Sequence, residues 1–182
     1  MNTRSFCVIL FIILSVNTLC GQTSKEVVTT IGPANGTLII VGGGELGESI
    51  NGSFIQICGG LDAPIVVIPT ANGQDMYDEN FGEAGKLKKM GATNVKILHT
   101  TDRNTANSES FVEPLINAKA VWFSGGRQWR LVDAYKNTLT ETMLLKVLEN
   151  GGVIGGSSAG ATIQGSFLVR GDTKNNQIMM GD

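Results

Sequence analysis

The chain has 182 residues, of which 42% are hydrophobic and 16% are charged, and its formal net charge at pH 7 is −2. This length and apolar content suffice for one domain with a buried core. The basic residues are scattered along the chain and form no patch, which argues against nucleic-acid binding.

The N-terminus has the pattern of an export signal. Arg4 precedes an apolar run at residues 7–14, and the small residues Cys20 and Gly21 follow it. This pattern predicts a signal peptide over residues 1–21 and export to the periplasm or the extracellular space. The run is too short for a stable membrane span. A retained anchor, or a lipid on Cys20, is the alternative.

Residues 22–36 are polar and rich in turn-forming residues, and we interpret them as a leader into a single domain over residues 37–182. Within that domain, apolar runs predict strands at residues 38–41, 65–68, 94–98, 121–123 and 153–154. Helical spacing predicts helices over residues 49–58, 77–90, 111–116, 129–135 and 140–149. Continuous apolar strands alternating with amphipathic helices are typical of a parallel sheet covered on both faces. The predicted fold class is therefore α/β, a three-layer sandwich with a mostly parallel sheet.

The last predicted strand leads into Gly156-Ser157-Ser158-Ala159-Gly160, a Gly-x-Ser-x-Gly sequence. Between a strand and a helix, this sequence is typical of a nucleophile elbow, a sharp turn that presents a reactive serine at the carboxyl end of the sheet. Ser158 is thus the candidate nucleophile for acyl transfer. The alternative is a turn rich in small residues that only joins a strand to a helix.

A second turn, Ser124-Gly125-Gly126-Arg127-Gln128, follows the strand at residues 121–123. A Gly-Gly pair at a strand end leaves backbone N–H groups free to face a ligand. With the N–H of Ala159, Gly125 and Gly126 are predicted to form an oxyanion hole. The alternative is a turn that only admits the chain to the next helix.

Four segments together resemble the cyanophycinase and dipeptidase E family of serine peptidases. They are residues 41–45, 67–71, 123–128 and 156–161, in the order of the family. The resemblance implies a class I glutamine amidotransferase-like fold. It also implies hydrolysis of aspartyl-type peptide bonds (β-Asp-Arg or Asp-X) through a serine acyl-enzyme. The implied substrate is a peptide, no cofactor is implied, and a homodimer stays open.

Carried over residue by residue, the resemblance makes Ser158 the nucleophile and places Gly125, Gly126 and Ala159 at the oxyanion. Gln128 matches a family glutamine placed to contact substrate. Arg127 stands where the family often has Asp or Asn, so it adds positive charge where a basic dipeptide would bind. The alternative is that this charge suits a substrate carboxylate.

The general base is not evident from the sequence. The chain contains one histidine, His99, whereas the family histidine lies downstream of the serine, and only the residues 159–182 follow Ser158 here. We therefore expect a further C-terminal segment that carries the histidine and its acidic partner, and we expect His99 to be a loop histidine. The alternative function is a non-catalytic binding protein on the same fold. An α/β-hydrolase esterase is disfavoured because the chain lacks an HGGG-type motif.

The remaining candidates for chemistry have simpler interpretations. Cys58 is the one cysteine beyond the signal sequence, and its apolar setting predicts a core residue. The acidic residues Asp75, Asp78 and Glu79 are interpreted as charges at a helix start, with a pocket for an arginine side chain as the alternative. No Cys/His set has metal-ligand spacing, so no metal site is predicted.

Overall fold

The computed structural model describes residues 32–169. The predicted signal peptide at residues 1–21, the leader up to residue 31 and residues 170–182 lie outside the described residues. The described strands are β1 (Thr37–Val41), β2 (Ile65–Ile68), β3 (Val95–Ile97), β4 (Ala120–Phe123) and β5 (Val153–Ser157). They form one sheet in the order β1-β5-β4-β2-β3, and each neighbouring pair is parallel.

Helices cover both faces of this sheet. They are α1 (Glu48–Ile57), α2 (Glu83–Lys89), α3 (Arg103–Ala106), α4 (Glu109–Ile116), α5 (Gln128–Tyr135), α6 (Leu139–Glu149) and α7 (Ala159–Thr162). One core lies between the sheet and α1 and α2, and the other lies between the sheet and α4 to α7. The predicted α/β class and its three layers are confirmed.

The inner strands β2, β4 and β5 are buried on both sides, as continuous apolar runs predict for a parallel sheet, and the edge strands β1 and β3 are partly exposed. Alternate residues of β2 point to opposite cores. Ile65 and Val67 pack in the core with α1 and α2, and Val66 and Ile68 pack in the core with α4 to α7. In the core with α1 and α2, the ring of Phe54 in α1 contacts Trp122 in β4 edge to face, with 5.1 Å between ring centroids.

The register aligns the carboxyl ends of three neighbouring strands. Val41 of β1 pairs with Ser157 of β5, and Phe123 of β4 pairs with Gly156 of β5. The segments that follow β1, β4 and β5 therefore emerge side by side at one edge of the sheet. Ligand sites of parallel α/β sheets gather at this edge.

The helix predicted over residues 77–90 is shorter than expected, since α2 begins only at Glu83. The preceding residues form turns instead, in which the Asp78 carboxylate accepts a hydrogen bond from the Asn80 N–H at 2.8 Å and Gly82 has φ 55°. Asp78 thus lies outside the helix. Helix α3 was not predicted; Asp102 caps it by accepting from the N–H groups of Asn104 and Thr105.

Cys58 is buried at the end of α1, as predicted for a core residue, and burial raises the pKa of its thiol.

Within residues 32–169, no helix combines the length and the apolar character needed to cross a membrane.

Replacing Phe54 by Ala should lower the free energy of unfolding by about 3–5 kcal/mol, because the ring is fully buried and its loss leaves a cavity. The control is Ile57→Ala in the same helix, where the side chain is 50% exposed and the change should stay within about 0.5 kcal/mol. Urea unfolding of both variants measures the difference. Equal losses would contradict the assigned face of α1.

Candidate active site

Ser158 lies in a strained turn between β5 and α7. Its backbone has φ 53° and ψ −113°, a combination that few non-glycine residues adopt. The Ser158 N–H donates to the Val41 carbonyl of β1 at 3.0 Å, which holds the turn against the neighbouring strand. The Ser158 side chain is exposed. This strand–turn–helix geometry with an exposed serine is that of a nucleophile elbow.

The two glycines of the motif permit this turn because they allow backbone segments to touch. A Cβ on Gly156 would collide with the carbonyl oxygen of Gly160, and a Cβ on Gly160 would collide with the carbonyl oxygen of Phe123. Helix α7 therefore packs directly on the end of β4. Any larger residue at these two positions would push the elbow away from the sheet.

Two other turns flank Ser158. A Cβ placed on Gly125, just after β4, would lie 3.5 Å from the Ser158 Cβ, and one placed on Gly43, just after β1, would lie 3.7 Å from it. The sequence predicted Gly125 at this site. The proximity of Gly43 was missed, although the Gly42-Gly43-Gly44 run at a strand end was the signal for a close approach.

Backbone segments with N–H groups lie on two sides of Ser158. Ala159 is the first residue of α7, and the first N–H groups of a helix have no partner within it. On the other side, the Ser124 N–H donates to Ile68 and the Arg127 N–H donates to Ala71, so that Gly125 and Gly126 span the turn between two anchored residues. Such N–H groups beside a serine can stabilise negative charge on a substrate oxygen.

Arg127 and Gln128 lie where the same turn enters α5. Arg127 is half-buried and precedes the helix, and Gln128 is its first residue. The Gln128 side-chain amide donates to the Val169 carbonyl at 3.1 Å, a contact with the segment that follows α7. Both residues are thus at the edge of the sheet that carries Ser158.

His99 follows β3 and belongs to a different hydrogen-bond network. Its Nδ1 is 2.8 Å from the buried Thr70 hydroxyl, which is 2.7 Å from the Tyr135 hydroxyl. The Tyr135 oxygen also accepts from the Thr100 N–H at 3.2 Å. Burial raises the pKa of Tyr135, so the phenol keeps its proton. In the one assignment in which every proton has an acceptor, Tyr135 donates to Thr70 and Thr70 donates to a neutral His99.

The sheet order separates His99 from Ser158. Strands β4 and β2 lie between β5 and β3, and three strand spacings amount to about 14 Å. The Tyr77 ring packs edge to face on the imidazole, with 4.7 Å between centroids. Burial lowers the pKa of His99, an effect that the backbone and the charge of Asp75 partly oppose. This geometry is that of a structural histidine.

A cleft of about 940 Å³ opens on the sheet face that carries α5, α6 and α7. Its lining is mainly apolar and includes Leu38, Trp129, Leu144 and Phe167. Ser158 does not line this cleft, so the candidate site is the exposed elbow at the sheet edge. Among the described residues, no three His, Cys, Asp or Glu side chains are grouped to hold a metal ion.

Comparison with known proteins identifies the family. The sequence profile of Peptidase family S51 matches residues 37–179. The chain belongs to this family. It is 31% identical over 144 residues to a cyanophycinase of Geminocystis herdmanii, covering 74% of this chain and 51% of that protein. It is 33% identical over 153 residues to a cyanophycinase of Synechococcus elongatus, covering 77% and 44% respectively. The chain thus spans about half the length of these curated S51 relatives.

The fold agrees with this S51 membership. A crystal structure of a peptidase from an acI-B1 Actinobacterium superposes with a TM-score of 0.61 and 27% identity, covering 72% of this chain and 57% of that one. The predicted resemblance to the cyanophycinase and peptidase E family is confirmed. The parallel sheet with helices on both faces is a class I glutamine amidotransferase-like fold.

His99 should make the stability of this S51 chain depend on pH. Between the lowered pKa of the folded state and the ordinary value of 6.5, the unfolded chain binds a proton that the folded chain does not. The free energy of unfolding therefore falls as the pH is lowered from neutrality through this window. The free energy of unfolding of the wild type minus that of His99→Asn should therefore become smaller as the pH falls. Urea unfolding of both proteins at several pH values measures this difference.

His99 is the single histidine of the chain, so no other imidazole titrates in this window, and the carboxylates are common to both proteins. A difference that stays constant with pH, or that grows as the pH falls, would contradict a neutral, half-buried His99.

Proposed function

We propose that this chain carries the nucleophilic half of a serine peptidase active site. The observation that supports this most strongly is the strained turn at Ser158 with Gly125 packed against it. In the proposed reaction, the Ser158 oxygen attacks the peptide carbonyl carbon, and the carbonyl electrons move to its oxygen. The N–H groups of Gly125, Gly126 and Ala159 receive this oxyanion. A general base takes the Ser158 hydroxyl proton during the attack and gives it to the departing amine, so that the C–N bond breaks and an acyl-enzyme remains. Water, deprotonated by the same base, then hydrolyses the ester to the free acid, and the proton returns to Ser158.

The proposed substrates are aspartyl-type peptides, with β-Asp-Arg and Asp-X bonds as the candidates. Two curated relatives are named cyanophycinases, which supports this class. Arg127 and Gln128 supply a cation and an amide beside the oxyanion turn. A guanidinium pairs well with a carboxylate, so Arg127 is the proposed contact for an aspartyl carboxylate of the substrate.

His99 is not assigned as the general base in this proposal. Its Nδ1 faces Thr70, its ring is packed against Tyr77, and its strand lies at the far edge of the sheet. His99→Gln in the full-length protein should therefore retain labelling of Ser158. Complete loss of labelling in a folded variant would assign the base to His99.

We also propose that the protein is exported, because of the charge, the apolar run and the small residues within residues 1–21. The protein isolated from its source should begin near residue 22. N-terminal sequencing checks this, and a mature chain that retains residues 1–21 would contradict cleavage.

Ser158→Ala should abolish covalent labelling of the full-length protein by a fluorophosphonate, because Ser158 occupies the strained elbow position and is the proposed nucleophile. Ser157→Ala is the matched control, since it removes the neighbouring hydroxyl, and it should retain labelling. Intact mass spectrometry and peptide mapping measure both. A wild type that folds but takes no label would favour the non-catalytic binding protein, and label on Ser157 would reassign the nucleophile.

A further inference from the structure

The turn that carries Gly125 and Gly126 rests on the loop after β2. The Arg127 N–H donates to the Ala71 carbonyl at 2.8 Å. Gly126 has φ 139°, and a Cβ on it would collide with the backbone of Ala71. Since Ala71 is fully buried, the loop is a fixed base for the turn. The position of the Gly126 N–H therefore depends on where the Ala71 carbonyl is held.

The side chain of Arg130 in α5 holds that loop. Its Nη1 donates to the Ala71 carbonyl at 3.1 Å and to the Asn72 carbonyl at 2.7 Å. Its guanidinium carbon also lies 5.3 Å from the centroid of the Trp129 ring. Hydrogen bonds from a charged donor are stronger than those between neutral groups. One cation thus ties two carbonyls of the β2 loop to the helix that follows the oxyanion turn.

Gly73 leaves room for this contact. It has φ 90°, and a Cβ on it would collide with the Arg130 guanidinium. A side chain at residue 73 would therefore displace Arg130 from the carbonyls of Ala71 and Asn72. The contact of the Arg130 guanidinium with these two carbonyls therefore requires both the long arginine side chain and the absence of a side chain at residue 73.

We propose that Arg130 is a positioning residue for the oxyanion hole, an inference that rests on the proposed peptidase function. Arg130 fixes the Ala71 carbonyl, Ala71 supports Gly126 and Arg127, and the turn then presents its N–H groups beside Ser158. An oxyanion donor acts only at about 2.7–3.1 Å from the charged oxygen. A displacement of about 1 Å by a mutation away from the chemistry can reduce a rate by about 100-fold.

The test compares fluorophosphonate labelling of Ser158 in the full-length wild type and Arg130→Met, with the maximal rate of inactivation and the half-saturating reagent concentration measured separately. The charge on the phosphoryl oxygen develops only during the reaction. The maximal rate should therefore fall about 10- to 100-fold while the half-saturating concentration changes little. Arg130→Lys keeps a charged donor and should recover part of the rate.

Arg103 offers a matched control. Its guanidinium donates to the carbonyls of Asp133 and Lys136 at 2.9 and 2.7 Å, so it makes the same kind of contact at the opposite end of α5. Arg103→Met should lower stability as Arg130→Met does and leave the labelling rate unchanged. A purely structural role of Arg130 would make the two variants alike, which would overturn the inference.

Two further results separate the possible failures. If the wild type takes no label, the proposed peptidase function fails whatever the variants do. If Arg130→Met does not fold, Arg130→Lys and Gly73→Ala decide, because Gly73→Ala displaces the guanidinium while the arginine is retained. A folded Gly73→Ala protein should lose labelling rate like Arg130→Met, and a wild-type rate in it would contradict the role of Arg130.

Discussion

The candidate site depends on one close contact, the backbone of Gly160 against the carbonyl of Phe123 at the end of β4. This contact lets α7 begin immediately after β5, with Ser158 alone in the positive-φ turn that joins them. Strain of this kind costs on the order of 1–3 kcal/mol and persists only where the surroundings fix it. Here the parallel sheet and the Ser158–Val41 hydrogen bond fix it.

The sequence predicted the parts of this site better than their arrangement. Strand type and the turns at residues 123–128 and 156–161 followed from apolar runs that end in glycines. Which strands are neighbours did not follow, because periodicity gives the type of an element and says nothing of its partners. The contact between Gly43 and Ser158 needed β1 beside β5, and this pairing appears only in the fold.

The start of α2 and the contacts of Arg130 could not be predicted from the apolar pattern of the sequence. The apolar spacing over residues 77–90 continued that of α2 upstream, but the turn around Asp78 and Gly82 excludes those residues from the helix. Arg130 lies inside an amphipathic helix, where a basic residue usually faces solvent. Its contacts with Ala71 and Asn72 require the β2 loop to return beside α5, which no local pattern indicates.

In the proposed active site, the backbone N–H groups of Gly125, Gly126 and Ala159 converge beside the Ser158 oxygen. A crystal structure of the full-length protein with a phosphonate bound to Ser158 tests it most directly. We expect the phosphonyl oxygen to lie within hydrogen-bond distance of the Ala159 N–H and of the Gly125–Gly126 turn, at about 2.7–3.1 Å. An adduct whose oxygen points to solvent, or to other donors, would contradict it.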